Sequence, residues 1–277
     1  MVNKSLVFSI IIVFIFACKA QNSHYLLTEN KFSQDDIKEK RGKITKLDDS
    51  LFKYEKFSYN DSILNYRILE PVSVEAGKKY PLVIIFPHSG GIGNDNKNQI
   101  TTLPKYWLQE KVRKKYPAYV IAIQYSMRSS NYFFDESKLM YSVPNDYCLD
   151  ATSELIKSLT TKLNVDKKRV YGIGFSMGSS TLYNLLTRHP DIFKASVSIS
   201  GIPDKDFGKK AAKSPIWIIH GNADTENPIE PDRKLVKYLQ KMNNKNYTYW
   251  EISGLEHTVY PDLYDTDMIP EWLFNSK

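Results

Sequence analysis

Cysteine is almost missing from this chain of 277 residues, which has two, Cys18 and Cys148. If Cys18 is lipidated or lost with a leader, Cys148 has no partner, so no intrachain disulfide staples the fold. The spacing of Cys148 to Ala151, Leu155, Leu159 and Leu163 is that of a buried helix residue, not of a reactive thiol. Long apolar runs are missing too. The run Leu6 to Ala17 is broken by Ser9 and is too short for a bilayer, which takes about 20 apolar residues. Glycine is sparse, 12 in all, and no Gly-rich loop able to cradle phosphates follows the first buried-strand pattern. Cys and His do not cluster at metal-ligand spacing either, so neither cofactor nor metal is expected. Acidic residues are outnumbered 31 to 38, for a net charge of +7. The lysines are scattered among Asp and Glu and fit no nucleic-acid motif, so the excess reads as a solvated surface and no nucleic-acid partner is expected.

What is present begins with Met-Val-Asn-Lys followed by that apolar run, the plan of a secretory signal. Ile15-Phe16-Ala17-Cys18 resembles a bacterial lipobox, in which the cysteine becomes the lipidated first residue of the mature protein. Phe16 departs from the usual small residue, and cleavage after Ala20 by ordinary signal peptidase is the competing outcome. The expectation is an exported protein of the bacterial envelope, anchored to the membrane through lipid on Cys18, with residues 1–18 as signal peptide. Residues 19–49 are polar and nearly aperiodic, the pattern of a tether. The catalytic domain is expected over residues 50–277.

From Leu51 the pattern changes. Leu51 to Tyr59 and Ile63 to Leu69 flank Asn60-Asp61-Ser62 and predict an antiparallel hairpin. Leu82 to Phe86 is a continuous apolar run, as in a parallel strand buried on both faces. Val120 to Ile123, Val170 to Phe175, Ala195 to Ile199, Ile216 to Ile219 and Tyr247 to Ile252 repeat it. Helical patterns lie between them, over 104–115, 148–163, 177–188 and 232–242, with a last short helix near 269–274. Such alternation predicts an α/β fold with a doubly wound, mainly parallel sheet and an antiparallel hairpin at its N-terminal edge. About 15 residues separate the strands near Ser200 and Pro215, which leaves no room there for a large cap domain. The longest irregular stretch, 124–147, holds Tyr132 and Phe133, which either cover a core edge or form a substrate-binding wall.

Between the strand at Val170 and the helix at Met177 stands Gly174-Phe175-Ser176-Met177-Gly178, a G-x-S-x-G elbow. A strand turning at once into a helix lifts the serine hydroxyl off the sheet, and the helix start behind it offers unpaired N–H groups. A serine needs a base to take its proton, and the base needs a group to fix its tautomer. Asp224 follows the strand at Ile216 and His257 follows the strand at Tyr247, at the sheet edge where ligands of open parallel sheets bind. Ser176, Asp224 and His257 thus come in the order acid, then histidine, downstream of the nucleophile. The rival histidines lie in less suitable places: His220 begins the turn before Asp224, His189 precedes Pro190, and His24 lies in the tether. Glu226 and Asp232 are reserve candidates for the acid. For the oxyanion, the N–H of Met177 and, from the loop Pro87-His88-Ser89-Gly90-Gly91, that of Gly90 are the expected donors.

These blocks resemble the putative esterase and predicted peptidase branch of the α/β-hydrolases, related to polyhydroxybutyrate depolymerases and feruloyl esterases. The resemblance is carried by Pro81 to Asn96, Val165 to Tyr171, Gly174 to Phe193, His220 to Asp224 and Glu271 to Phe274, and covers about residues 75 to 277. It implies the α/β-hydrolase fold, the same three catalytic residues and the same two oxyanion donors. His88-Ser89 stands where the family has His-Gly, Ser179 replaces a second glycine after the nucleophile, and Asn227 replaces a valine. The expected activity is cleavage of carboxylic esters, acetyl or feruloyl esters on carbohydrate among them, through an acyl-enzyme. A serine peptidase of the prolyl oligopeptidase-like type and a catalytically idle binding protein are the alternatives.

Overall fold

The computed structural model describes residues 24–211 and 213–276. The signal sequence and Cys18 lie outside the described residues. In chain order come β1 (His24–Glu29), α1 (Gln34–Thr45), β2 (Lys53–Tyr59), β3 (Ser62–Leu69), β4 (Tyr80–Phe86), α2 (Thr102–Tyr106), α3 (Glu110–Lys115), β5 (Tyr119–Gln124), β6 (Ser130–Phe134) and β7 (Met140–Pro144). They continue with α4 (Asp146–Lys162), β8 (Val165–Phe175), α5 (Met177–Arg188), β9 (Ala195–Ile199), α6 (Phe207–Lys210), β10 (Ile216–Gly221), α7 (Glu230–Lys241), β11 (Tyr247–Ser253), α8 (Asp262–Asp265) and α9 (Met268–Asn275).

Among the described residues, nine strands form one sheet in the order β1-β11-β10-β9-β8-β4-β5-β3-β2. Pairing is parallel except where β3 meets β5 and β2. The all-apolar β4 lies near the middle and is buried along its whole length, as its unbroken hydrophobic run requires. One core face packs Leu149 and Leu155 of α4, Leu182 of α5 and Leu235 of α7 against the sheet. The other packs Ile37 of α1, Leu103 of α2, Val112 of α3 and Leu273 of α9. The sheet is therefore covered on both sides, the doubly wound α/β-hydrolase arrangement.

Three expectations need correction. Residues 24–45, expected within a polar tether, form the edge strand β1 and helix α1. Periodicity missed them because β1 is held by parallel pairing to β11 and by a Trp250 Nε1 to Thr28 Oγ1 hydrogen bond of 2.8 Å, not by an apolar run of its own. The helix α1 is stabilised by a capping box between Ser33 and Asp36, by buried Ile37 and Ile44, and by Lys31–Asp262 and Lys40–Asp265 ion pairs at either end of α8. The single helix expected over 104–115 is two, α2 and α3, divided at Gln109, whose extended ψ of 126° breaks the ladder. The stretch 124–147 is not irregular: β6 and β7 pair as a hairpin of their own.

That hairpin lies on α5. Ser129 and Ser130 bond Thr181 Oγ1 at 2.7 Å and Asn184 Oδ1 at 3.0 Å, and Asn184 Nδ2 donates to Ser142 Oγ at 2.9 Å. It thereby buries the polar stripe of a helix whose apolar stripe already faces the sheet.

Deleting residues 24–45 should lower the free energy of unfolding by roughly 3 kcal/mol or more, the effect of losing the burial of Ile37 and Ile44 and exposing the apolar surface they cover. Urea unfolding of the shortened chain checks this. An unchanged midpoint would return the segment to the status of a tether.

Candidate active site

The sheet's C-terminal edge gathers the site, starting from a local conflict between sequence and backbone. Ser176, between β8 and α5, has φ 57° and ψ −126°, a conformation that costs a residue with a side chain about 1–3 kcal/mol. The chain is forced into it by close packing. A Cβ on Gly174 would stand 2.5 Å from the backbone of Gly178, and one on Gly178 would overlap the Phe86 carbonyl at the end of β4. Only glycine fits at either place, which is the physical content of the G-x-S-x-G spacing. The Ser176 N–H donates to Ile199 O at 3.0 Å, pinning the elbow to β9.

Ser176 Oγ lies 2.9 Å from His257 Nε2, and His257 Nδ1 lies 2.7 Å from Asp224 Oδ2. A carboxylate at Nδ1 only accepts, so Nδ1 holds the ring proton and Nε2 presents its lone pair to the serine hydroxyl. The second Asp224 oxygen accepts from the N–H groups of Glu226 at 2.9 Å and Asn227 at 2.8 Å. Burial pushes the Asp224 carboxyl up, but hydrogen bonds from His220, His257 and the Asn227 N–H outweigh it and hold the group well below the ordinary carboxylate range. The structure thus brings together the three residues singled out by chain order. Neither reserve acid reaches His257 Nδ1: Glu226, well exposed, approaches Nε2 at 3.8 Å, and Asp232 bonds His220.

Phe175 stands between two imidazoles. Its ring lies 5.0 Å from His257, tilted 31°, and 5.9 Å edge-on to His88. His88 opens a one-turn 3-10 helix, Ser89–Gly91, and its Nδ1 accepts the Gly90 N–H at 3.0 Å. Burial, with the charges of His257 and Arg41 adding to it, holds the His88 ring below the ordinary histidine value. A neutral ring accepting at Nδ1 carries its proton on Nε2. Gly90, expected to offer a free N–H, therefore has that donor engaged within its own loop, whereas Met177 begins α5, where N–H groups have no intrahelical acceptor.

The two aromatic candidates part company. Tyr132 faces α5, its hydroxyl 3.4 Å from Ser180 Oγ, one turn beyond the nucleophile. Phe133, next along β6, points to the other face of the hairpin and packs on Tyr141 at 5.8 Å. Beside the imidazoles lies a cavity of about 140 Å³ lined by Arg41, His88, Gln99, Phe175, His257 and Thr258 among others. A wider hollow of about 340 Å³ shares Arg41, His257 and Thr258 and opens along α1. Arg41 of α1 was invisible as a site residue in the sequence because only tertiary docking brings α1 here. His220 had a visible signal, its fixed place in His220-Gly221-Asn222-Ala223-Asp224, but not a visible partner. Among the described residues no group of three or more His, Cys, Asp or Glu side chains is placed to hold a metal ion.

Residues 67–257 match the model of the dienelactone hydrolase family. A thermostable esterase superposes with a TM-score of 0.72 at 28% identity, over 82% of this chain and 63% of its own, so the present chain spans under two thirds of that protein. Est1E from Butyrivibrio proteoclasticus gives a TM-score of 0.54 at 16% identity, over 79% of this chain and 95% of its own. The acylaminoacyl peptidase of Pyrococcus horikoshii gives 0.57 at 16%, over 81% and 42%. The last two likenesses are likenesses of fold. Comparison with curated protein sequences returns no match.

Backbone strain at the elbow gives a test. Ser176→Gly, which removes the Cβ from a positive-φ position, should stabilise the protein by about 1 kcal/mol relative to Ser176→Ala. Thermal unfolding of the two variants checks it. Equal stabilities would mean that the elbow is unstrained.

Proposed function

Because the chain belongs to the dienelactone hydrolase family of α/β-hydrolases, we propose that it is a serine hydrolase that cleaves carboxylic esters through an acyl-enzyme. The observation that supports this most is the continuous hydrogen-bonded row Ser176–His257–Asp224 at the C-terminal edge of the sheet. Ser176 Oγ attacks the ester carbonyl carbon while its proton passes to His257 Nε2. Asp224 keeps the imidazole in the right tautomer and offsets its charge. The tetrahedral oxyanion is held by the Met177 N–H and by that of Gly90, since an anionic oxygen outcompetes the neutral His88 ring for the latter donor. Collapse breaks the bond to the alcohol, which leaves with the proton from Nε2. Water, activated by the same nitrogen, then releases the acid and restores the serine.

The preferred substrate pairs a small or planar acyl group with a bulky alcohol, carbohydrate being the best fit. The hollow of about 340 Å³ beside His257 is open, and Tyr132 offers an aromatic ring near the elbow. Peptide cleavage is the weaker reading, because it demands protonation of a poorer leaving group and close positioning of an extended chain.

Ser176→Ala should keep its fold and lose on the order of 10⁴-fold in kcat/KM. Wild-type turnover in that variant would refute the nucleophile. Comparing kcat/KM on acetylated or feruloylated oligosaccharides with that on matched peptides decides the bond, and equal or better peptide cleavage overturns the ester reading.

Export with lipid on Cys18 is part of the proposal and rests on the sequence of residues 1–18. Mass spectrometry of the protein from its native host should find a mature chain beginning with lipidated Cys18. A chain beginning at Gln21 would exclude it.

A further inference from the structure

His220 takes no part in the steps above, yet among the histidines with described burial it is the one the fold encloses most completely. Its side chain, at the end of β10, is wholly buried. Its Nδ1 lies 2.7 Å from Asp232 Oδ2 on α7, and its Nε2 lies 3.0 Å from the Asn227 carbonyl and 3.4 Å from Asp224 Oδ2. A backbone carbonyl only accepts, so Nε2 carries a hydrogen. The group facing Nδ1 is a carboxylate whose other oxygen accepts the Tyr183 hydroxyl at 3.0 Å. A ring that donates from both nitrogens is a cation.

The charges around it agree. Burial alone would favour the neutral ring, but the hydrogen bonds and charges of Asp224 and Asp232 outweigh it and lift the imidazole to about 9. The other titratable groups nearby do not supply a competing positive charge. Tyr183 of α5 and Tyr249 of β11 are pushed further from ionisation, by burial first and then by the charge of Asp232. Glu251 of β11 is paired with Arg233 of α7 and accepts from Tyr249 and Tyr25. His257 Nδ1 meets the same oxygen of Asp224, Oδ2, at 2.7 Å. Two buried carboxylates therefore share one imidazolium, and an unpaired buried carboxylate would be strongly unfavourable.

Resting on the reading of Ser176, His257 and Asp224 as the catalytic row, we propose that His220 is a positioning residue, a buried cation between Asp232 and Asp224 that fixes the Asp224 carboxylate and tunes His257 as a base. Mechanically, it ties the end of β10 to α7 and so closes the turn in between, which presents Asp224. That turn is also tied to β9, through Asn227 Nδ2 to Ser200 O at 2.7 Å. Electrostatically, a cation beside the Asp224 oxygen that His257 also contacts offsets part of the charge His257 feels. His257 then holds a proton less tightly, and more of it is the free base that takes the serine proton at neutral pH.

The test compares wild type, His220→Gln and the double variant His220→Gln with Asp232→Asn, following the rate at which a fluorophosphonate labels Ser176 from pH 5 to 9. Glutamine still donates a hydrogen bond but brings no charge, leaving two carboxylates unbalanced. The acid limb should move to higher pH by roughly half a unit to one unit, slowing labelling at pH 6 by about 3- to 10-fold. The double variant removes one negative charge as well and should return at least half of that shift. A merely structural role predicts a loss that follows the folded fraction equally at every pH, with the limb unmoved, and that result overturns the proposal. If His220→Gln does not fold, nitrogen NMR of the wild type decides: both ring nitrogens of His220 should be protonated at pH 7, and one bare nitrogen overturns the proposal. Failure of the wild type to react would instead refute the serine nucleophile, while the NMR result would still report on His220.

Discussion

The Asp224 carboxylate is the anion on which the polar architecture of the site depends. It is nearly buried, and a carboxyl so placed would take up a proton if its oxygens found no donors. Its donors come from separate parts of the chain: the backbone of its own turn, His257 from the loop after β11, and His220 from the end of β10. Each of those donors is held in turn. His257 rests on Phe175, and His220 is anchored to α7 through Asp232. The tautomer of His257, and hence the lone pair offered to Ser176, follows from this one buried negative charge.

Much of this was legible in the sequence, for a physical reason. Residues at the ends of buried parallel strands must emerge at one edge of the sheet, so Ser176, Asp224 and His257 share that edge without any knowledge of distances. The continuous apolar runs of β4, β5 and β8 could be located because burial on both faces leaves no polar alternation. The strand β1 and helix α1 could not, since beyond the local capping box their docking lies in partners more than two hundred residues away: Tyr25 bonds Glu251, 226 residues further on, and Lys40 pairs with Asp265. The hairpin of β6 and β7 was hidden for a related reason. Its strands are short, and their order comes from serines bonding across to Asn184 of α5, interactions that leave no periodic mark. The engagement of the Gly90 N–H by His88 is likewise a matter of ring orientation, which residue identity does not set.

Helix α5 explains how the polar groups behind the nucleophile are buried and yet satisfied. Its first turn carries the elbow, its apolar side lies on the sheet, and its polar side, with Ser180, Thr181 and Asn184, is covered by the hairpin. Tyr132 reaches the same stripe from above. The hairpin is thus the segment that satisfies the hydrogen bonds of the helix behind the nucleophile. Substitutions in the hairpin therefore act on the helix that carries the elbow.

The edge pairing of β1 with β11 has a consequence in time as well as in space. The strand β1 has its place beside β11, more than two hundred residues further along the chain, so it cannot take up that pairing until β11 has been made. Closing so long a loop is slow compared with forming local hairpins and helices. The ion pairs from Lys31 and Lys40 to α8 form with that closure, and α8 follows the loop bearing His257. A chain interrupted before β11 therefore holds the serine elbow but lacks the base, which follows that strand.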